Sequence, residues 1–296
     1  MTMMIKLISL NGLLLLLVLI ALPSSVLGQS PWKWQMSLRV EKSGDSMYMP
    51  SAIAFDESSG RYYVVDTGRN RLISYEKDGT LLKAFTANEQ LRSPFDMVRL
   101  NSGKLWVVEK GRNSLTMIDI AARKVQPNTL RDGKHLVFPD RLSVGGGKLH
   151  VLDRSSGQVL RLAEDLSVEK RFGCPECSGG FADFVISGDS ILAIEPRDKK
   201  IYRFKPDGTV AQEFELGEEV DFPISLDIGP SGFFFVLDRH QNSVLAYDEE
   251  GRFRYRFLES GQSAGKVYYA RQIRFDPWDR ICVVDEGNGR VEIYSR

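Results

Sequence analysis

Six times along this 296-residue chain a short apolar run ends in an acid, and no other feature limits the fold as strongly. The copies are Val64-Val65-Asp66, Val107-Val108-Glu109, Val151-Leu152-Asp153, Ala193-Ile194-Glu195, Val236-Leu237-Asp238 and Val283-Val284-Asp285. Successive acids lie 43, 44, 42, 43 and 47 residues apart. A fixed period of this size marks a stacked or radial repeat, in which each unit buries its apolar faces only against its neighbours.

Each copy carries the same landmarks in the same order. An alternating segment, such as Ala52-Ile53-Ala54-Phe55-Asp56, comes first, and a Gly- or Asn-bearing turn leads to the run with the acid. A polar loop follows, then a third alternating segment, for example Lys200-Ile201-Tyr202-Arg203-Phe204. Several copies continue through turns such as Pro206-Asp207-Gly208-Thr209 into a fourth segment ending in Phe85, Phe172, Phe214 or Phe257. Period-two alternation between turn residues predicts antiparallel strands joined as hairpins. No segment after Gly28 sustains a 3.6-residue apolar period. Four short strands per unit make a propeller blade, so the expected fold is all-β, a six-bladed β-propeller of four-stranded antiparallel blades over residues 29–296. The last repeat stops after its third strand, and the unassigned stretch Met36–Val40 is expected to supply the missing outer strand. That pairing would remove an open sheet edge and join the two ends of the ring.

Residues 1–28 read as a separate segment. Lys6 precedes a charge-free run, Leu13 to Leu22, which Pro23-Ser24-Ser25 interrupts before Val26-Leu27-Gly28. This is the pattern of a secretory signal cut after Gly28, which places the protein outside the cytoplasm, secreted or periplasmic. The alternative is an uncleaved anchor, the one route by which a membrane would become a partner. In that compartment Cys174 and Cys177, in Cys-Pro-Glu-Cys, are expected to form a disulfide stapling a loop, and Cys282 to be a buried core thiol. Lys and Arg together equal Asp and Glu at 39 each, so no global charge draws the chain to nucleic acid, and none is expected as a partner.

The stretches Tyr63-Val64-Val65-Asp66-Thr67-Gly68-Arg69-Asn70-Arg71-Leu72 and Val108-Glu109-Lys110-Gly111-Arg112-Asn113-Ser114-Leu115 resemble NHL repeats. So does Gly287-Asn288-Gly289-Arg290-Val291 in the sixth copy, whereas the third and fourth replace the Gly-Asn loop with Arg154-Ser155-Ser156-Gly157 and Pro196-Arg197-Asp198-Lys199. The resemblance spans the chain after residue 28. It implies the TolB-like six-bladed fold and leaves function open, because NHL propellers include binding platforms for RNA or protein and some enzymes. Similar propellers with peptidylglycine-lyase activity hold zinc through several histidines. The three histidines here, His135, His150 and His240, occupy non-equivalent repeat positions, so no zinc cage is expected. Lactonase-like propellers use calcium held by Glu, Asn and Asp, and no cluster here matches; no cofactor or metal is expected. The six recurring acids are assigned a structural role, accepting hydrogen bonds from the turn that follows each of them.

Candidate binding residues come from strand direction. The start of each first strand and the loop between the second and third strands share one face, at one mouth of the central channel. The residue before the first apolar position of each first strand is Ala52, Asp96, Arg141, Asp183, Ser225 or Gln272. Asp96, Arg141, Asp183 and Gln272, with Arg271 beside them, form a mixed polar ring that reads either as a ligand site or as mutually paired charges. The second-to-third-strand loops add Arg69, Arg112, Arg154, Arg197 and Arg239, a set suited to anionic groups. Trp32 and Trp34 are expected to anchor the amino-terminal segment across the last blade. The leading expectation is therefore a non-enzymatic binding module presenting this face to a protein, peptide or glycan ligand, with no catalytic residue assigned. The alternative is a propeller hydrolase or lyase, lactonase-like or peptidylglycine-lyase-like, using Asp96 or Asp183 as base and Arg141 to steady an anion.

Overall fold

The computed structural model describes residues 30–296 apart from residues 43, 176 and 178, so the expected signal segment lies outside the described residues. Six four-stranded antiparallel sheets follow one another along the chain. Blade 1 comprises Pro50–Asp56, Arg61–Asp66, Arg71–Glu76 and Leu81–Phe85. The first strands of blades 2 to 6 are Pro94–Arg99, Pro139–Gly145, Asp183–Ser187, Pro223–Ile228 and Ala270–Phe275. These first strands approach one another in ring order, blade 6 meeting blade 1, and so line the central channel. The expected architecture is present.

Burial explains the strand patterns. A second strand lies between its own neighbours and the faces of two adjacent blades, so Phe234–Asp238 and Ile281–Asp285 are buried at every position. A fourth strand reaches solvent, and Val210–Glu215 buries only Phe214, which packs edge-on against Phe234. That division is why the terminal phenylalanine was the visible mark of the fourth segment.

The fourth position of blade 6 is occupied by Lys33–Leu38, which pairs antiparallel with Arg290–Ser295 from Lys33 opposite Ser295 to Leu38 opposite Val291. The sequence placed this strand at Met36–Val40; it begins three residues earlier, and Arg39 and Val40 lie beyond its end. Trp32 fixes the register. It is buried against Phe235, Phe257 and Phe275, and its indole N–H donates to the Tyr255 hydroxyl at 3.1 Å. Trp34 is half-exposed and donates to Glu292 at 2.7 Å. Cys174 and Cys177 are joined as a disulfide, with Cα atoms 5.2 Å apart, and Cys282 is a buried free thiol.

The recurring acids turn out to grip the chain upstream of their own blades. Carboxylates of Asp66, Glu109, Asp153, Asp238 and Asp285 accept from the backbone N–H of Tyr48, Arg92, Phe138, Phe222 and Tyr268, at 2.6–3.1 Å. Bonds to the following turn, the expected role, are added at Ser155, Asp198 and Gln241. In blades 1, 2 and 6 the loop glycine completes the grip: the N–H groups of Gly68, Gly111 and Gly287 donate back to the carbonyls of Tyr48, Arg92 and Tyr268. A Cβ on Gly68 or Gly287 would collide with the gripped residue, and one on Gly111 would press on Arg92 at 3.0 Å. Blades 3 and 5 use the residue directly after the acid instead, Arg154 and Arg239, and so need no glycine. The glycine of the repeat motif is therefore a packing requirement found only where the clamp spans two residues.

Candidate functional site at the channel mouth

Each first strand faces the channel with an edge whose backbone N–H groups need acceptors. Six such donors lie at Ile53, Met97, Leu142, Phe184, Leu226 and Ile273, one per blade. Gln272 accepts from Ile53 of the next blade (3.0 Å), Asp96 from Leu142 (2.9 Å), Asp183 from Leu226 (3.3 Å) and Ser225 from Ile273 (3.2 Å). Ala52 and Arg141 cannot accept. The donors they leave, Met97 and Phe184, are taken by the second oxygens of the adjacent Asp96 and Asp183, each at 2.9 Å. All six donors are thus satisfied, and the two aspartates stand where two acceptors are needed.

This accounting corrects the sequence reading of the polar ring. The oxygens of Asp96, Asp183 and Gln272 are taken up by backbone N–H groups in stitching blade to blade, which is a structural role. Asp183 also holds Arg274 through two hydrogen bonds of 2.8 and 2.9 Å. Burial would raise the Asp183 pKa, but Arg274 outweighs it and holds the carboxyl below its ordinary range. Burial pushes Asp96 up, opposed by Arg141. One tier deeper, Asp227 repeats the device, accepting from Phe275 of the next blade (2.6 Å) and its own neighbour Ile228 (2.8 Å); burial raises its pKa to about 6.

Five of the six first strands carry a β-bulge one position before this ring, at Ser51, Phe95, Asp140, Ile224 and Arg271. A bulge re-aims a side chain. Here the bulged residues meet those that directly follow the repeat acids. Phe95 lies at the centre, with the Lys110 ammonium 3.2 Å from its ring centroid and the guanidinium carbons of Arg271 and Arg141 at 4.8 and 5.0 Å. Each such contact contributes roughly 0.5–2 kcal/mol, the more so when desolvated. Lys110 pairs with Asp140 at 2.5 Å; Arg239 pairs with Glu286 at 2.8 Å, and Arg271 reaches the same carboxylate at 3.8 Å. Four cations therefore face two carboxylates at the rim.

Arg141 is the least satisfied of them. It is only 3% exposed, has no carboxylate within ion-pair distance, and makes two long contacts of 3.4 Å to the carbonyls of Ser51 and Arg271. The Nε atoms of both Arg141 and Arg271 are buried without a hydrogen-bond partner among the described residues. Burial, reinforced by Arg141, pushes the Arg271 pKa down to about 10. Burial also lowers that of Lys110, aided by Arg271 and Arg141 against the pull of Asp140. These cations crowd one another, and an incoming anion would relieve them.

The other expected residues lie outside this cluster. Arg69 is exposed and donates to the carbonyls of Ser46 and Gly44, Arg112 pairs with Glu109 at 3.3 Å, and Arg197 is exposed. Of Arg69, Arg112, Arg197 and Arg239 only Arg239 pairs within the cluster; Arg154, which like Lys110 and Arg239 directly follows its repeat acid, is exposed. Lys110, Phe95, Asp140 and Glu286 were missed, although Lys110 and Glu286 directly follow repeat acids. The histidines remain apart: His150 packs on Phe172, His240 stacks on Phe222, and His135 lies in a separate hairpin. Among the described residues no group of three or more His, Cys, Asp or Glu could hold a metal ion.

Solved structures of known proteins share this architecture. A streptogramin B lyase superposes with a TM-score of 0.69 at 11% identity, covering 89% of this chain and 97% of the lyase. Virginiamycin B lyase from Staphylococcus aureus gives 0.65 at 13%, covering 90% and 99%. A gluconolactonase, XC5397 from Xanthomonas campestris, gives 0.67 at 15%, covering 88% and 98%. The likeness shows the fold alone. No protein-family model and no curated protein matches the chain in sequence.

Proposed function

We propose that this propeller, of NHL type by its repeat loops, is an extracytoplasmic binding module that captures an anionic group of a glycan, peptide or protein at its channel mouth. The carrying observation is the cluster of Lys110, Arg141 and Arg271 around Phe95, in which buried Arg141 has no carboxylate within ion-pair distance. A desolvated, underpaired guanidinium gains more from an anion than an exposed one does. The amino-terminal pattern up to Gly28 and the Cys174–Cys177 disulfide support an oxidising, exported location. In calorimetry, hexaglutamate should bind with an affinity that falls with salt. Arg141→Ala and Arg271→Ala should each weaken it by about tenfold or more, whereas Arg69→Ala, outside the cluster, should not. Equal effects at all three positions would refute the assignment.

The structurally similar lyases and gluconolactonase favour a second reading, a hydrolase or lyase at the same mouth. The base would then be Lys110, the one mouth amine with a lowered pKa, rather than Asp96 or Asp183, with Arg141 and Arg271 holding the developing anion. One of those lyases is described as catalytically inactive when a histidine is replaced by alanine, and the cluster around Phe95 contains no histidine. Lys110→Arg separates the readings: it keeps the cation and should leave anion binding near wild type in a module, but it removes the titratable amine and should abolish turnover in an enzyme.

A further inference from the structure

Beside the cationic mouth, blades 5, 6 and 1 enclose an open cleft of about 380 Å³. Its walls are Tyr48, Met49, Tyr269, Arg239 and Glu286, and its floor is the backbone of the Gly287-Asn288-Gly289 loop. Gly289 has φ +64°, and a Cβ there would lie 2.5 Å from the Met47 carbonyl, so the floor must stay bare. Twelve large apolar side chains are exposed among the described residues; five of them, Tyr48, Met49, Phe222, Tyr268 and Tyr269, lie in the segments entering blades 1, 5 and 6. Such a concentration on one arc of one face marks a contact surface. Met49 and Tyr269 have φ of 56° and 52°, a left-handed backbone that non-glycine residues adopt at a cost. The Tyr269 backbone is held there by its N–H bond to Asn242 at 2.7 Å.

The cleft is built for a ring with two different sides. It is too open and polar to bury an aliphatic side chain, yet the exposed tyrosines on its walls, Tyr48 and Tyr269, suit the C–H face of a pyranose. Arg239 stands over the Tyr269 ring at 5.5 Å and is locked to Glu286, a donor and an acceptor set side by side as vicinal hydroxyls require. Glu286 also reaches Arg271, so cleft and mouth cluster adjoin at this carboxylate. We infer that the cleft seats a pyranose ring whose carboxylate reaches the cations around Phe95, and that the ligand is an oligosaccharide of the uronic-acid class.

This inference rests on the anion-site reading of the mouth, and the test separates the two. The full chain is titrated by calorimetry with tetrasaccharides of galacturonate, of mannuronate and of hyaluronan, with cellotetraose, and with hexaglutamate. At least one uronate should bind, and cellotetraose about tenfold more weakly or not at all. Tyr269→Ala and Arg271→Ala should each weaken the uronate by about tenfold, while Tyr269→Phe, which keeps the ring, should stay within about threefold. Tyr48→Ala provides a second cleft variant should Tyr269→Ala fail to fold. If no uronate binds while hexaglutamate binds and responds to Arg271→Ala, the saccharide assignment falls and the anion site stands. If neither binds, both fall. Uronate binding indifferent to both Tyr48→Ala and Tyr269→Ala would also overturn the cleft.

Discussion

Replacing the acceptors of the channel ring should destabilise the protein in proportion to the backbone donors each one serves. Gln272→Ala leaves one buried N–H, that of Ile53, without its partner. Asp96→Ala leaves two, those of Met97 and Leu142, and takes a counter-charge from buried Arg141. An unsatisfied buried donor costs about 1–3 kcal/mol, so the expected losses are roughly 1–2 kcal/mol for Gln272→Ala and 2–5 kcal/mol for Asp96→Ala. Asp96→Asn should fall between, because one amide oxygen replaces two carboxylate oxygens and the charge is removed. Urea unfolding followed by intrinsic fluorescence reads these losses directly. With a slope of about 3 kcal/mol per molar, the midpoint should drop by roughly half a molar for Gln272→Ala and by about 1 M or more for Asp96→Ala, at unchanged slope. Equal costs, or both below about 0.5 kcal/mol, would refute the reasoning, since water in the channel would then be serving these donors as well as the side chains do.

His150 gives a pH test. Burial lowers its pKa from 6.5 to about 4, so the folded protein keeps the ring neutral while the unfolded chain takes up a proton below about pH 6.5. Its share of stability is present above that pH and is lost on acidification toward pH 4. His150→Phe should flatten the decline, gaining roughly 2 kcal/mol relative to wild type between pH 7 and pH 5, as read by unfolding at both pH values. Gly68→Ala should cost about 2 kcal/mol or more, since the new methyl group collides with the ring and carbonyl of Tyr48, and unfolding midpoints would show it. Trp32→Ala should cost about 3 kcal/mol and deprotect the backbone amides of Arg290–Ser295 in hydrogen exchange ahead of the other blades.

The ring of blades was legible because period and alternation are properties of the chain itself: an acid about every 43 residues, and strands that alternate because each has an inside and an outside. The mouth was legible only to within one residue. Strict alternation has no place for a bulge, so in blade 2 it pointed at Asp96, which faces the neighbouring blade, rather than at Phe95 one position earlier, and in blade 3 it passed over Asp140. The loop arginines were grouped by type, although Arg69 and Arg112 follow their acids by three residues and Arg239 by one. Counting from the acid would have aligned Thr67, Lys110, Arg154, Pro196, Arg239 and Glu286, and so placed Lys110 and Glu286 in the candidate set. Arg274 could not be found this way, because its pairing with Asp183 joins blades 6 and 4 across the channel, 91 residues apart.

The ladder between Lys33–Leu38 and Arg290–Ser295 has a mechanical consequence. Lys33 faces Ser295 at the same end of the pair, so a force drawing residues 30 and 296 apart loads those hydrogen bonds one after another rather than together. Blade 6 should therefore peel open at low force, with the indole of Trp32, wedged between blades 5 and 6, as the first real resistance. Stretching by the ends would meet a zip fastener, whereas handles placed within two inner strands of the same protein would have to shear many bonds at once.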